Sequence, residues 1–209
     1  RERLSGCSHT VLPDRIEAAT YLAAAAITGG SIIVHTCPGH LAAPIAVLRR
    51  MGCQIQTKER SIALQAPKRL MGAGSLVTLP YPGFPTDLQA VFMSLAAAAD
   101  GCTALTETVF PRRWAHVEEL RRMGADITVA GNHAVVCGAP LSGSALTCTD
   151  LRAGAAVVLA ALAARGESTV TAVSHIERGY ADFVPTLRAL GGNITLTEVS
   201  NPPKEVLSP

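Results

Sequence analysis

A chain of 209 residues with 48% hydrophobic, 16% charged and 4% aromatic residues has the make-up of a globular protein packed mainly from Ala, Leu, Val and Ile. Its formal net charge of +2, with basic residues only in short groups such as Arg49-Arg50, Arg112-Arg113 and Arg121-Arg122, excludes a nucleic-acid binder driven by bulk charge. So low a charged fraction also fits a surface partly covered by another domain.

In chain order, Asp14 opens an apolar, alanine-rich helix that stops at Gly29-Gly30. Its longest apolar stretch, residues 16–27, is too short to cross a membrane. The β-rich segment SIIVHT (31–36) follows, and then a second helix ending in LRRMG at 48–52. The pattern starts again with a strand over 75–79, an Asp87-headed apolar helix running to Gly101, the strand TALTETVF (103–110) and an amphipathic helix over 114–123. That helix also ends in LRRMG, at 120–124, and is followed by the hairpin ADITVAGNHAVVCGA (125–139), turned at Gly131-Asn132. A third round brings a strand over 145–148, an Asp150-headed helix running to Gly166, the strand STVTAVSHI (168–176) and a helix over 180–190 that ends in LRALG.

The terminal glycines Gly52, Gly124 and Gly191 are 72 and 67 residues apart; Asp14, Asp87 and Asp150 are 73 and 63 apart. Two independent markers recurring in one order define an internal repeat. The unit reads βαβαββ, three times, with the last strand missing from the third copy. The three aspartates read as N-caps, accepting from free N–H groups of the first helical turn. Helices apolar on every side belong at the centre, with amphipathic helices and sheets outside. The expected fold is an α/β domain over 1–200, with repeats at about 1–71, 72–140 and 141–200 and a tail at 201–209.

Helix N-termini attract anions, and arginines gather there. Arg15 follows Asp14, and Arg152 lies two residues beyond Asp150. Arg113 and Arg178 fall on equivalent strand-to-helix turns, so closure about an axis would bring these charges to one end, attractive to phosphate and carboxylate. Plainer roles stand beside this: Asp14 as a cap only, Arg113 and Arg178 as solvated turn residues, Arg49-Arg50 and Arg121-Arg122 as solvated helix faces. The six histidines have no metal spacing. Cysteines at 7, 37, 53, 102, 137 and 148 form no CxxC pair, which gives no support to zinc and reads as reduced thiols in a cytoplasmic protein. No signal-peptide pattern is evident, and a chain opening on Arg1 is expected to begin inside a longer protein.

The phrases LPDRIEAATYLAAAAITGG (12–30), YPGFPTDLQAVFM (81–93), TETVFPRRWAHVEELRRMGADI (106–127), TDLRAGAAVVLAAL (149–162) and HIERGYADF (175–183) resemble the UDP-N-acetylglucosamine enolpyruvyl transferase family. The resemblance runs in order over nearly the whole chain. It implies two similar domains, each an inside-out α/β barrel of three βαβαββ units, of which this chain is the C-terminal one. It also implies transfer of enolpyruvyl from phosphoenolpyruvate to the 3-hydroxyl of UDP-N-acetylglucosamine, the first committed step of peptidoglycan synthesis. No cofactor, metal, nucleic acid or membrane is implied; the partner is an N-terminal domain bearing a catalytic Cys or Asp lid, and a Lys-Asn segment also lies outside this chain. By the resemblance, Asp87 contacts the 3-hydroxyl as general base, Val109 gives a backbone contact to the nucleotide-sugar, and Phe110 packs near the sugar. Arg113 is an active-site arginine, Asp150 and Arg152 form a pair stabilising the cationic intermediate, and Arg178 engages phosphoenolpyruvate. Arg112, Glu177 and Gly154 depart from the Asn, Asp and Ser common at those positions. The alternatives are half of the shikimate-pathway enolpyruvyl transferase, or a non-catalytic repeat domain that binds nucleotide-sugars.

Overall fold

The computed structural model describes residues 5–197. The first unit contains α1 (Arg15–Ile27), β1 (Ser31–His35), a 3-10 turn at Pro38–Leu41, α2 (Ala42–Arg50), and the hairpin β2 (Gln54–Lys58) and β3 (Ser61–Gln65). The second begins with β4 (Gly74–Val77), passes through a 3-10 turn at Thr86–Leu88 into α3 (Gln89–Ala98), and continues with β5 (Cys102–Thr106), α4 (Val117–Arg122), β6 (Asp126–Ala130) and β7 (His133–Cys137). The third has β8 (Ala145–Thr147), α5 (Leu151–Ala163), β9 (Thr169–Thr171), α6 (Ser174–Glu177) and α7 (Phe183–Ala189).

Helices α1, α3 and α5 pack on one another at the centre, with the sheets outside. All of 89–97 in α3 and 153–160 in α5 is buried. The alanines make this possible, because short side chains let helix backbones approach closely. Where α3 meets α5, the buried Ser94 hydroxyl donates to the Ala156 carbonyl at 2.8 Å, so the polar atom placed there is satisfied. The three sheets, ordered β1-β3-β2, β4-β5-β7-β6 and β8-β9, remain separate and surround this centre as an inside-out α/β barrel. In the middle sheet β4 runs parallel to β5, and β8 runs parallel to β9 in the third.

The three LRxxG phrases end their helices identically. Gly52, Gly124 and Gly191 have φ of 98°, 95° and 97°, a region that favours glycine. In each copy the following N–H reaches back to the leucine carbonyl of the phrase, Leu48, Leu120 or Leu187. The arginines of the first two copies are more than solvated faces: Arg49 and Arg121 both donate to a carbonyl of the next strand, Ile55 and Ile127.

Several expectations are corrected. Among the described residues only the middle unit has all six elements: no strand precedes α1, and the third unit lacks both hairpin strands rather than one. The 201–209 tail lies outside the described residues. The strand expected over 168–176 ends at Thr171, because Ala172 takes φ 56° and the chain turns into α6. Cys102 and Cys137, expected as thiols, stand directly opposite each other on β5 and β7 and are joined as a disulfide. Cross-strand pairing brings them together over 35 residues, which no local spacing signals. Cys7, Cys37, Cys53 and Cys148 are free. No helix among the described residues is long and apolar enough to cross a membrane.

Candidate active site

Two of the three aspartates are the caps the sequence predicts. Asp14 accepts from the Ile16 and Glu17 amides, and Asp150 from the Arg152 and Ala153 amides. Asp87 is not a cap. It sits in the 3-10 turn before α3, and its carboxylate is held by two arginines. Arg113 donates to Oδ1 at 2.8 Å and Arg152 to Oδ2 at 3.1 Å. Asp87 is the second residue of that turn, whose N-cap position is held by Pro85, so its carboxylate does not cap the turn and faces these partners.

The guanidinium side chains are 20% and 15% exposed against 37% for Asp87, so the pairs are only partly open to water. Burial alone would raise the Asp87 pKa, but the Arg113 hydrogen bond and the charges of Arg152 and Arg113 outweigh it and hold the carboxyl below its ordinary value. Two cations on one carboxylate leave the cluster net positive, and that excess favours an anionic ligand.

Aromatic rings back both arginines. Arg113 lies 5.3 Å from the Phe110 ring centroid and Arg152 lies 5.6 Å from that of Tyr180. Tyr180 is fully buried, with its hydroxyl 2.9 Å from that of Thr20 on α1, so Arg152 rests on a fixed ring. Val109 and Phe110 are exposed on the loop after β5. Arg178 caps α6 and is exposed, and no carboxylate among the described residues pairs with it. It lies two residues before Tyr180, at the same end of α5 as Arg152. The structure thus brings Asp87, Arg113, Arg152 and Phe110 into one cluster, sets Asp150 at its edge as a cap, and leaves Arg178 beside it. At the neighbouring helix start, Arg15 lies 4.8 Å from the centroid of the exposed Tyr81.

Sequence reasoning missed Thr86, Glu107 and Tyr180. The signal for Glu107 was a lone acid inside the β-rich run TALTETVF, a place where a carboxylate is buried or functional. No group of three His, Cys, Asp or Glu among the described residues is placed to hold a metal.

Two of the unusual positions have local physical consequences. Arg112 has φ 61°, left-handed backbone that Asn and Gly adopt at lower cost than Arg. Arg112→Asn is therefore expected to stabilise the fold by about 0.5–1 kcal/mol, read from urea denaturation midpoints at unchanged slope. Gly154 faces Cys148 and Ile176, and a Cβ there would lie 2.8 Å from Ile176 Cγ1 and 3.0 Å from Cys148 Sγ. Glycine is what this packing admits. Nothing in the structure explains Glu177.

Fold and site together define a repeat domain with a cationic, carboxylate-bearing end at its helix starts. Residues 1–187 match the family model described as EPSP synthase (3-phosphoshikimate 1-carboxyvinyltransferase), and the chain belongs to that family. Among curated relatives, a UDP-N-acetylglucosamine 1-carboxyvinyltransferase of Magnetococcus marinus is 50% identical over 92% of this chain and 46% of its own length. One from Finegoldia magna is 47% identical over 96% of this chain and 48% of its own length. The chain thus spans about half the length of the curated relatives it matches. The crystal structure of the enolpyruvyl transferase NikO from Streptomyces tendae superposes with a TM-score of 0.79 at 29% identity, over 88% of this chain and 44% of that one. An EPSP synthase from Acinetobacter baumannii, at 20% identity and a TM-score of 0.67, shares the fold.

Proposed function

We propose that residues 1–200 form one of the two domains of an enolpyruvyl transferase that moves enolpyruvyl from phosphoenolpyruvate to the 3-hydroxyl of UDP-N-acetylglucosamine, releasing phosphate, in cytoplasmic peptidoglycan synthesis. The observation that carries this reading is the Asp87 carboxylate gripped by Arg113 and Arg152. A base wants a pKa near the working pH, and the two arginines hold Asp87 below that. Anionic substrate resolves the conflict. As its phosphate and carboxylate draw the guanidinium groups away, Asp87 loses its counter-ions and becomes basic enough to take the 3-hydroxyl proton. The hydroxyl oxygen then bonds to carbon 2 of the enolpyruvyl group, and carbon 3 takes a proton from a group outside this chain. Loss of phosphate from carbon 2 and of a proton from carbon 3 gives the enol ether. Arg113, Arg152 and the exposed Arg178 stabilise the anionic ketal between these steps. Val109 and Phe110 receive the nucleotide-sugar, and Asp150 keeps Arg152 in place by capping its helix.

Support for the acceptor comes from relatives at 45–50% identity called UDP-N-acetylglucosamine 1-carboxyvinyltransferases. This chain alone is expected to release no phosphate from the two substrates. Joined to the amino-terminal half of such a relative, it is expected to release phosphate with UDP-N-acetylglucosamine. Release with 3-phosphoshikimate in its place would overturn the acceptor assignment, and release by this chain alone would overturn the two-domain reading.

A further inference from the structure

Glu107 is fully buried, yet no cation among the described residues pairs with it. Instead its carboxylate gathers four neutral donors. Oε1 accepts from the Thr78 hydroxyl at 2.7 Å, the Val109 amide at 2.8 Å and the Phe110 amide at 2.9 Å. Oε2 accepts from the Thr86 hydroxyl at 2.8 Å. Burial alone would raise its pKa, but these four bonds outweigh burial and keep the carboxyl ionised, below its ordinary value.

The two oxygens serve different parts of the site. Through Oε1, Thr78, the residue following β4, and the loop after β5 are tied to one point. Both loop amides turn inward, so at 109 and 110 the backbone offers a ligand carbonyls and no N–H. Through Oε2, Glu107 fixes the direction of the Thr86 proton. With its proton committed, the Thr86 oxygen accepts from Arg113 Nη1 at 3.1 Å, the same nitrogen that donates to Asp87. A carboxylate buried at this cost is ordinarily retained for what it orders.

We propose that Glu107 is a positioning residue of the active site, one carboxylate that sets both the 108–110 loop receiving the nucleotide-sugar and, through Thr86, the seat of Arg113 against Asp87. The assignment rests on the enolpyruvyl-transfer reading above.

The test uses the full-length two-domain enzyme. Glu107→Gln keeps an acceptor for the three Oε1 bonds and places an NH2 against Thr86, so the loop stays and the Thr86 branch inverts. Its kcat is expected to fall roughly tenfold or more, with KM for UDP-N-acetylglucosamine within about threefold of wild type. Thr86→Val severs the same branch and is expected to show the same split. Glu107→Ala loosens the loop as well, so its KM rises along with the loss in kcat. A residue needed only for folding would lower stability and leave kcat of the folded enzyme untouched. Wild-type kcat in folded Glu107→Gln, or in Thr86→Val if the first variant does not fold, overturns the proposal.

A second readout is independent of activity. In Glu107→Ala the Val109 and Phe110 amides should exchange with solvent about tenfold faster or more, relative to amides of α3 and α5 as internal references. Unchanged loop exchange overturns the anchoring. An inactive wild-type enzyme with a loop that loosens in this way would sink the enolpyruvyl-transfer reading and leave the anchoring in place.

Discussion

If Asp87 is the base in the proposed reaction, replacing it with Asn in a full-length two-domain enzyme is expected to lower kcat about a hundredfold or more, the usual scale for losing a general base. Asn keeps the shape and an acceptor for one arginine, but it cannot take the 3-hydroxyl proton at neutral pH. Binding should respond differently. Asp87 neutralises part of the charge of Arg113 and Arg152, at 2.8 and 3.1 Å, so removing that charge makes both guanidinium groups more attractive to an anion. Affinity for UDP-N-acetylglucosamine, which loses one contact to its hydroxyl, is expected to stay within roughly tenfold. Steady-state kinetics with calorimetric titration of the nucleotide-sugar separates the two effects. A variant with normal turnover would rule Asp87 out as the base and leave it as a counter-ion that bridges the two arginines.

Between pH 6.5 and about 4, acid should destabilise the fold chiefly through His116. It is 1% exposed, its Nε2 lies 3.1 Å from Met93 Sδ, and burial, reinforced by the charge of Arg113 and opposed by that of Asp150, pushes its pKa down to about 4. The unfolded histidine protonates near its ordinary value of 6.5. Between pH 6.5 and about 4 the unfolded state therefore binds the extra proton, so stability falls as pH falls through this window. The expected loss is about 3 kcal/mol at pH 4. Asp87 and Glu107 behave otherwise. Their folded pKa values are depressed, so the stability they contribute is present above the ordinary carboxylate range and is lost only as pH falls below it. His116→Gln is expected to remove most of the slope between pH 6.5 and 4.5 in urea denaturation. An unchanged slope in that variant would show that His116 is already charged in the native state.

The sequence by itself determined the repeat, the central helices and the glycine stop of each LRxxG helix, whereas α3 and α5 end at Ala98 and Ala163, short of the expected Gly101 and Gly166. These rest on local rules. An all-apolar run of alanine and leucine has no solvent face to offer, so 89–97 and 153–160 are buried as the pattern demands. A glycine after LRxx ends its helix the same way three times because only the backbone of that turn is involved. Asp14 and Asp150 cap their helices because a carboxylate there reaches amides two and three residues ahead. The family motifs likewise singled out Asp87, Arg113 and Arg152, three side chains that the structure brings into contact.

What joins those residues was decided by tertiary structure alone. Asp87 looked like a third cap, and became a counter-ion because its partners stand 26 and 65 residues further along the chain. Glu107 meets Thr78 and Thr86 across 29 and 21 residues, from one strand end to the loops beside it. Cys102 finds Cys137 only through the register of β5 against β7. That no strand precedes α1 and no hairpin follows α7 among the described residues is equally invisible in local pattern, since a unit short of strands still carries its helices. In each case the deciding interaction is a distance set by packing, and hydrophobic periodicity, caps and turns specify only what lies within a few residues.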